Sequence, residues 1–414
     1  MMQKKILLTV AMGFWCLADR QLSVAAPVPG QTAPIQTTQA NLSTDPTEAQ
    51  PVRDDPDGRY SRFLVAEGGF HVLIDDLSGD GRLDLAFTSH GDNSIRVFRQ
   101  VENRRFVANE AQEITGFHPN DTIALPGAPK RYLINGEGIG KLRVVAAQPD
   151  GMLSLVSDNN QDHPLGSTPF VWPDWGRLSL AVMPYTGSAL TLVRDFDPEQ
   201  GQAKSVVKIP TSKDPRPARV ADLNGDGINE LVFPTFWDSK VWAIEYAGPE
   251  QTPRLRELAD LKDGWPRHVV PMDTNQDNKI DLLVPMSTQP TIVVLLNDGQ
   301  GQFTQSQPIS YPGPVGVHTL VVGQDQGGRY LLAGGIRALV LYRERRESPG
   351  SFDTMMLPLK NPPNRVELAD VDSDGWLDAV VASRGELDSQ LIYGPLWDTF
   401  GKLLVNQTET AKPN

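Results

Sequence analysis

Apolar positions along most of the chain come in short runs, and each run is stopped by Gly, Pro, Asn or Asp. Val72-Leu73-Ile74 leads into an acidic turn and Leu85-Ala86-Phe87 leaves it; Val269-Val270 and Leu282-Leu283-Val284 frame another such turn. This pattern predicts strand, tight acidic loop, strand. With 36 Gly and 34 Pro among 414 residues, punctuation is too dense for a protein of long helices, and the chain is too apolar for a disordered one.

Four segments share the turn. They are Asp76-Leu-Ser-Gly-Asp80-Gly-Arg-Leu-Asp84, Asp222-Leu-Asn-Gly-Asp226-Gly-Ile-Asn-Glu230, Asp273-Thr-Asn-Gln-Asp277-Asn-Lys-Ile-Asp281 and Asp370-Val-Asp-Ser-Asp374-Gly-Trp-Leu-Asp378. Their first residues are 146, 51 and 97 apart, which is three, one and two units of a period near fifty. Degraded copies are expected in the gaps, around 135–143, 183–191 and 322–330, giving seven units. Two further apolar runs follow the second strand of a unit, at 94–98 and 105–107, 241–246 and 254–258, and 292–296 and 302–304. Four short antiparallel strands per unit predict an all-β fold, a seven-bladed β-propeller. A right-handed β-helix is the rival, although its coils are usually shorter and lack this hairpin rhythm.

The acidic loops between strands resemble the FG-GAP and VCBS repeats of integrin α-subunit propellers and of many secreted bacterial proteins, over roughly residues 60–407. That resemblance implies a seven-bladed propeller with Ca²⁺ in such loops and implies no single function. Ser78, Asn278 and the three units without an acidic loop depart from the pattern.

Ca²⁺ takes about six to eight oxygen ligands, and a nine-residue turn presents side chains from positions one, three, five and nine with a carbonyl from seven. The candidate ligands are thus Asp76, Ser78, Asp80, Asp84 and the carbonyl of Arg82; Asp222, Asn224, Asp226, Glu230 and the carbonyl of Ile228; Asp273, Asn275, Asp277, Asp281 and the carbonyl of Lys279; and Asp370, Asp372, Asp374, Asp378 and the carbonyl of Trp376. Up to four structural Ca²⁺ ions follow. Position six, held by Gly81, Gly227, Asn278 and Gly375, needs a positive φ. An EF-hand is excluded, because position twelve is Phe87, Phe233, Val284 or Val381 and not Glu. The alternative is a set of metal-free turns in which Asp and Asn bond their own backbone.

Reading back from each loop to the start of the strand before it gives His71, Lys130, Arg177, Arg216 with Arg219, Arg267 with His268, His318 and Arg365. In a chain of net charge −13, a basic residue in every unit predicts a cationic ring at the channel mouth opposite the acidic loops. Such a ring would receive an anionic ligand, an acidic sugar or a carboxylated peptide; the competing expectation is pairing with carboxylates of neighbouring blades. Loops 90–94, 234–239, 287–290 and 384–388 belong on the same face. Trp237 and Trp265 are predicted in loops there and offer stacking surfaces for sugar rings, with Trp172 and Trp175 as a further pair. Packing between blades is the alternative for each.

Lys4 and Lys5, the apolar run 6–18 and the small residues Ser23-Val24-Ala25-Ala26 read as a secretory signal over 1–26, so the chain is expected to be exported. Residues 27–58 read as a flexible tether, 59–407 as the propeller and 408–414 as a tail. No later run is long enough to span a membrane. Cys16 is the only cysteine, which excludes a disulfide framework and a thiolate zinc site. The acidic balance argues against nucleic acid. No HExxH, GxSxG or phosphate-cradling loop is present. The expectation is a ligand-binding module for an extracellular glycan or a surface protein. The alternatives are a polysaccharide lyase or hydrolase built from loops of several blades, or a structural module of a cell envelope.

Overall fold

A computed structural model describes residues 52–410 except 66–67, 115, 117, 128, 137–140, 161–163, 174–177, 185–186, 249–250, 314 and 386–388. The expected signal segment, most of the tether, Arg177, Trp175 and the last four residues lie outside the described residues.

The chain enters with β1 (Val52–Asp54) and β2 (Tyr60–Phe63), then builds one four-stranded antiparallel sheet after another. Blade 1 is β3 (Gly69–Asp75), β4 (Asp84–Ser89), β5 (Ser94–Glu102) and β6 (Arg105–Ala108). Blade 2 is β7 (Pro119–Leu125), β8 (Arg131–Gly136), β9 (Lys141–Ala147) and β10 (Leu153–Asn160). Blade 3 is β11 (Pro164–Phe170), β12 (Ser179–Pro184), β13 (Ala189–Asp197) and β14 (Gln202–Pro210), and blade 4 is β15 (Arg219–Ala221), β16 (Glu230–Thr235), β17 (Lys240–Glu245) and β18 (Arg254–Asp260). Blade 5 is β19 (Val270–Met272), β20 (Asp281–Pro285), β21 (Thr291–Asn297) and β22 (Phe303–Gln305), with β23 (Ile309–Ser310) also on β21. Blade 6 is β24 (Val317–Asp325), β25 (Gly328–Gly335), β26 (Ala338–Arg345) and β27 (Ser348–Pro358). Blade 7 takes β28 (Pro363–Ala369), β29 (Asp378–Ser383) and β30 (Ser389–Ile392) from the end of the repeats and β2 and β1 from their beginning. Helix α1 (Leu396–Thr410) follows. β1 thus lies inside the stretch read as tether, and β2 pairs with both β1 and β30.

The innermost strands β3, β7, β11, β15, β19, β24 and β28 neighbour one another in that order, and β28 returns to β3, closing a ring of seven blades. Each of the seven seams between blades holds its own apolar cluster. Alternate residues of one strand feed opposite seams: Leu85 and Phe87 pack toward blade 7, and Ala86 toward blade 2. Both faces of every blade are therefore covered, which is why second strands read as unbroken apolar runs and not as alternation. Helix α1 seals the seam of blades 6 and 7 with Leu396 and Phe400.

Near the start of every inner strand one extra residue opposes the second strand. Gly69 and His71 pair with Ser89 and Thr88, leaving Phe70 over; Val317 and Thr319 leave His318, and Pro363 and Arg365 leave Asn364. Blades 2 and 3 show the same shift. In blades 4 and 5 the bridges Pro215–Thr235 and Pro266–Met286 give the same count. A bulge of this kind bends the strand and re-aims its side chains, here at the mouth of the central channel.

Two of the three degraded units sit one hairpin away from where the sequence suggested. Residues 137–140 join β8 to β9, and 185–188 join β12 to β13; both are second-to-third connections. The first-to-second connections of blades 2 and 3 are 126–130 and 171–178. Without carboxylates, a Gly-containing turn between apolar runs looks alike in either hairpin. The copy at 322–330 is correctly placed in the β24–β25 hairpin.

Candidate functional site

The register of the inner strands decides which basic residues meet. His71, Arg219, Arg267, His268, His318 and Arg365 converge on one end of the channel, joined by Arg216. Lys130 does not: it lies in the β7–β8 connection at the opposite end and bonds Asp75 at 2.6 Å. Blade 2 contributes Asn120 and Asp121 instead, and blade 3 retreats to Gly166, where a Cβ would fall 2.7 Å from Asp121 Oδ2.

The ring is also less cationic than its composition suggested. Burial, followed by the nearby Arg365 and Arg219, holds His71 and His268 well below the usual imidazole range. Both are neutral, and each accepts a backbone N–H from the next blade, Thr122 to His71 Nδ1 at 3.3 Å and Leu320 to His268 Nε2 at 3.0 Å. Burial, with Arg267 and Arg384 beside it, pushes His318 down to about 3. The remaining cations are arginines. Arg216 pairs with Asp214 at 2.7 Å, and Arg267 Nε reaches Ser287 Oγ at 3.3 Å.

An aromatic cluster stands beside them. Phe236 and Trp237 lie in the β16–β17 loop, and Trp265 precedes the inner strand of blade 5. The Trp237 and Trp265 centroids are 5.1 Å apart and both rings contact Phe236. Arg216 lies over Phe236 at 4.3 Å and Arg267 at 5.8 Å. Trp237 is 53% exposed, and Trp265 is half-buried with φ +53°. Trp172, by contrast, is buried in the seam of blades 3 and 4 and donates to the Asn229 carbonyl at 2.7 Å, so packing decides its place.

Deeper in the channel Arg219, Arg365, Asp121 and Glu367 gather. Arg365 Nε donates to Glu367 at 2.6 Å, and His71 Nε2 lies 3.6 Å from Asp121. Burial raises the Asp121 carboxyl. Sequence reading missed Asp121 because blade 2 was out of register, and Glu367 because only basic residues were sought on the inner strands.

At the opposite end, the four acidic loops share one internal bonding scheme. The first carboxylate accepts the N–H of position six: Asp76 from Gly81, Asp222 from Gly227, Asp273 from Asn278 and Asp370 from Gly375, each at 2.9 Å. Position six has the positive φ expected, +87°, +83°, +65° and +87°. The ninth carboxylate accepts the N–H of position two, as Asp84 does from Leu77 and Asp281 from Thr274, and a second bond ties Asp84 to Gln100 and Asp281 to Asn297 on the third strand. Glu230 and Asp378 take the Leu223 and Val371 N–H groups, and burial pushes each up to about 7. Side chains at three and five differ among the loops. Asn224 and Asn275 turn their amide nitrogens to Asp226 and Asp277, Arg82 pairs with Asp80, and Ser78 bears its hydroxyl inward. In the fourth loop Asp370, Asp372 and Asp374 bring carboxylate oxygens within 4.8 Å of one another, a donor set that fits a hard cation. Arg104 of blade 1 reaches the same carboxylates, with Nη2 3.1 Å from Asp374, while lying over Tyr393.

No protein-family model matches the chain, and no curated protein sequence does. Solved structures do. BBS1N, crystallised in complex with ARL6DN, is similar with a TM-score of 0.54 at 12% identity over 80% of this chain and 94% of that one. Virginiamycin B lyase from Staphylococcus aureus is similar with a TM-score of 0.54 at 12% identity, over 81% and 99%. A streptogramin B lyase gives 0.53 at 13% identity, over 80% and 96%. Likeness at such low identity concerns the fold alone, and together with the seven closed sheets it makes this chain a seven-bladed β-propeller of four-stranded blades.

Proposed function

We propose that the chain is an exported, calcium-braced propeller that recognises an acidic glycan at the channel mouth. The observation that carries this reading is the exposed Trp237 beside Trp265, with Arg216 and Arg267 against the same aromatic cluster. An indole offers a flat apolar face with a polar tip, suited to one face of a sugar ring, and the guanidinium groups suit its carboxylates or sulfates. Binding fits better than turnover, because the accepting nitrogens of His71 and His268 are taken by backbone N–H groups of the next blade. Export rests on Lys4, Lys5 and the apolar run that follows them. The FG-GAP-like loops would hold Ca²⁺ through Asp370, Asp372 and Asp374, and correspondingly in the other three. A bound ion would neutralise crowded carboxylates and pin one hairpin of its blade.

The test is binding of the folded chain to a panel of neutral and acidic polysaccharides, in Ca²⁺ and again in chelator. Salt-sensitive binding to acidic glycans is expected, weakened at least about tenfold by Trp237→Ala. A chain that stays folded in Ca²⁺ and binds no glycan would instead point to a protein partner, the kind of ligand with which BBS1N was crystallised.

A further inference from the structure

Along the inner strands below the mouth lies a cavity of 470 Å³, within the size range of small-ligand sites. The pocket at the mouth is smaller, 120 Å³, and Arg219 and Arg365 line both. Most of the wall is apolar or hydroxylic: Ile123, Thr168, Val270 and Val321 come from four different inner strands. The charges facing Arg219 are Arg365, Glu367 and Asp121. Glu367 is already paired with Arg365 through Nε, and Asp121 faces His71. Arg219 itself makes no ion pair among the described residues; its Nη1 donates to the Ala218 carbonyl at 3.1 Å. Burial and then the neighbouring Arg365 push the Arg219 guanidinium down to about 10, whereas Arg329, paired with Glu344, moves up. Glu367 and Asp121 act on Arg219 only from a distance, each engaged elsewhere, and an anion between the two guanidinium groups would give Arg219 a direct partner.

We infer that the channel interior, which shares Arg219 and Arg365 with the mouth, is a second binding site, for a small organic carboxylate with an apolar body. The carboxylate lies between Arg219 and Arg365, and the body lies against Ile123, Val270 and Val321. The bidentate fork of arginine suits a carboxylate, and the apolar wall favours an aromatic or branched acid over a bare inorganic anion.

The experiment is calorimetric titration of the folded full chain with benzoate and with its neutral analogue benzamide. Saturable one-to-one binding of benzoate is expected, at least tenfold weaker for benzamide and lost in Arg219→Gln. In buffer without carboxylates, Arg219→Gln should melt no lower than the parent, since only one bond to a carbonyl disappears. Absence of saturable benzoate binding, or equal binding of benzamide, overturns the inference on the parent chain alone. Arg219→Gln melting well below the parent also overturns it, because Arg219 would then be a structural residue.

Discussion

His71 and His268 occupy the same position of blades 1 and 5 and make the same contact, an imidazole nitrogen accepting a backbone N–H from the next inner strand. The sequence offered them as cations of a ring, because a histidine's charge depends on burial, which sequence does not show. Arginine keeps its charge in any surroundings near neutral pH, so Arg216, Arg219, Arg267 and Arg365 kept the role that the histidines lost. Neutral histidine has a consequence for stability. The folded pKa is depressed below an unfolded value of about 6.5, so above that pH both states are neutral and the full contribution is present. As pH falls through about 6.5 the unfolded chain takes up protons that the folded chain refuses, and stability declines toward the lower folded pKa. Glu230 and Asp378, raised to about 7, gain stability over the same interval in parent and variant alike, so the histidine contribution is read as a difference: between about pH 7.5 and 5 the urea midpoint of the parent should drop relative to that of His268→Gln. Equal slopes in parent and variant would remove His268 from the account.

Strands and loops were legible to different degrees for a physical reason. Each intact loop fixes its carboxylates at one end of one hairpin, so blades 1, 4, 5 and 7 were placed correctly from Asp76, Asp222, Asp273 and Asp370. Blades 2 and 3 carry no such marker; their apolar runs are alike on both sides of each turn, and the register slipped by one strand. The calcium proposed above would act at this scale. Ca²⁺ at a hundredfold over its Kd would add about 2.7 kcal/mol per occupied loop, and a melting temperature indifferent to Ca²⁺ and chelator would end the calcium reading. Arg104→Ala, which frees Asp372 and Asp374 from their guanidinium partner, should tighten Ca²⁺ at the fourth loop in equilibrium dialysis. β2 makes a separate prediction. Phe63 is fully buried, with ring centroids 4.9 Å from Phe98, 5.4 Å from Phe106 and 5.7 Å from Phe87. Phe63→Ala should cost about 3–5 kcal/mol in urea unfolding, far more than a strand at the edge of a tether would imply.

The propeller is a circle of seven blades, and its period of about fifty residues was readable because four of seven units announce themselves. The channel was less readable, since its lining comes from seven separate strands and depends on a one-residue bulge in each. The closing seam joins the two ends of the repeat region: Tyr60–Phe63 lies beside Ser389–Ile392, and Ser61 Oγ meets the Tyr393 hydroxyl at 2.9 Å. During synthesis, β2 is made long before β30 exists. Until the final repeat has left the ribosome, the partly made circle keeps β2 without its partner strand and the flank of blade 1 uncovered. Pairing of β2 with β30 is therefore the last contact of the ring that can form, whatever the order in which the blades between them fold.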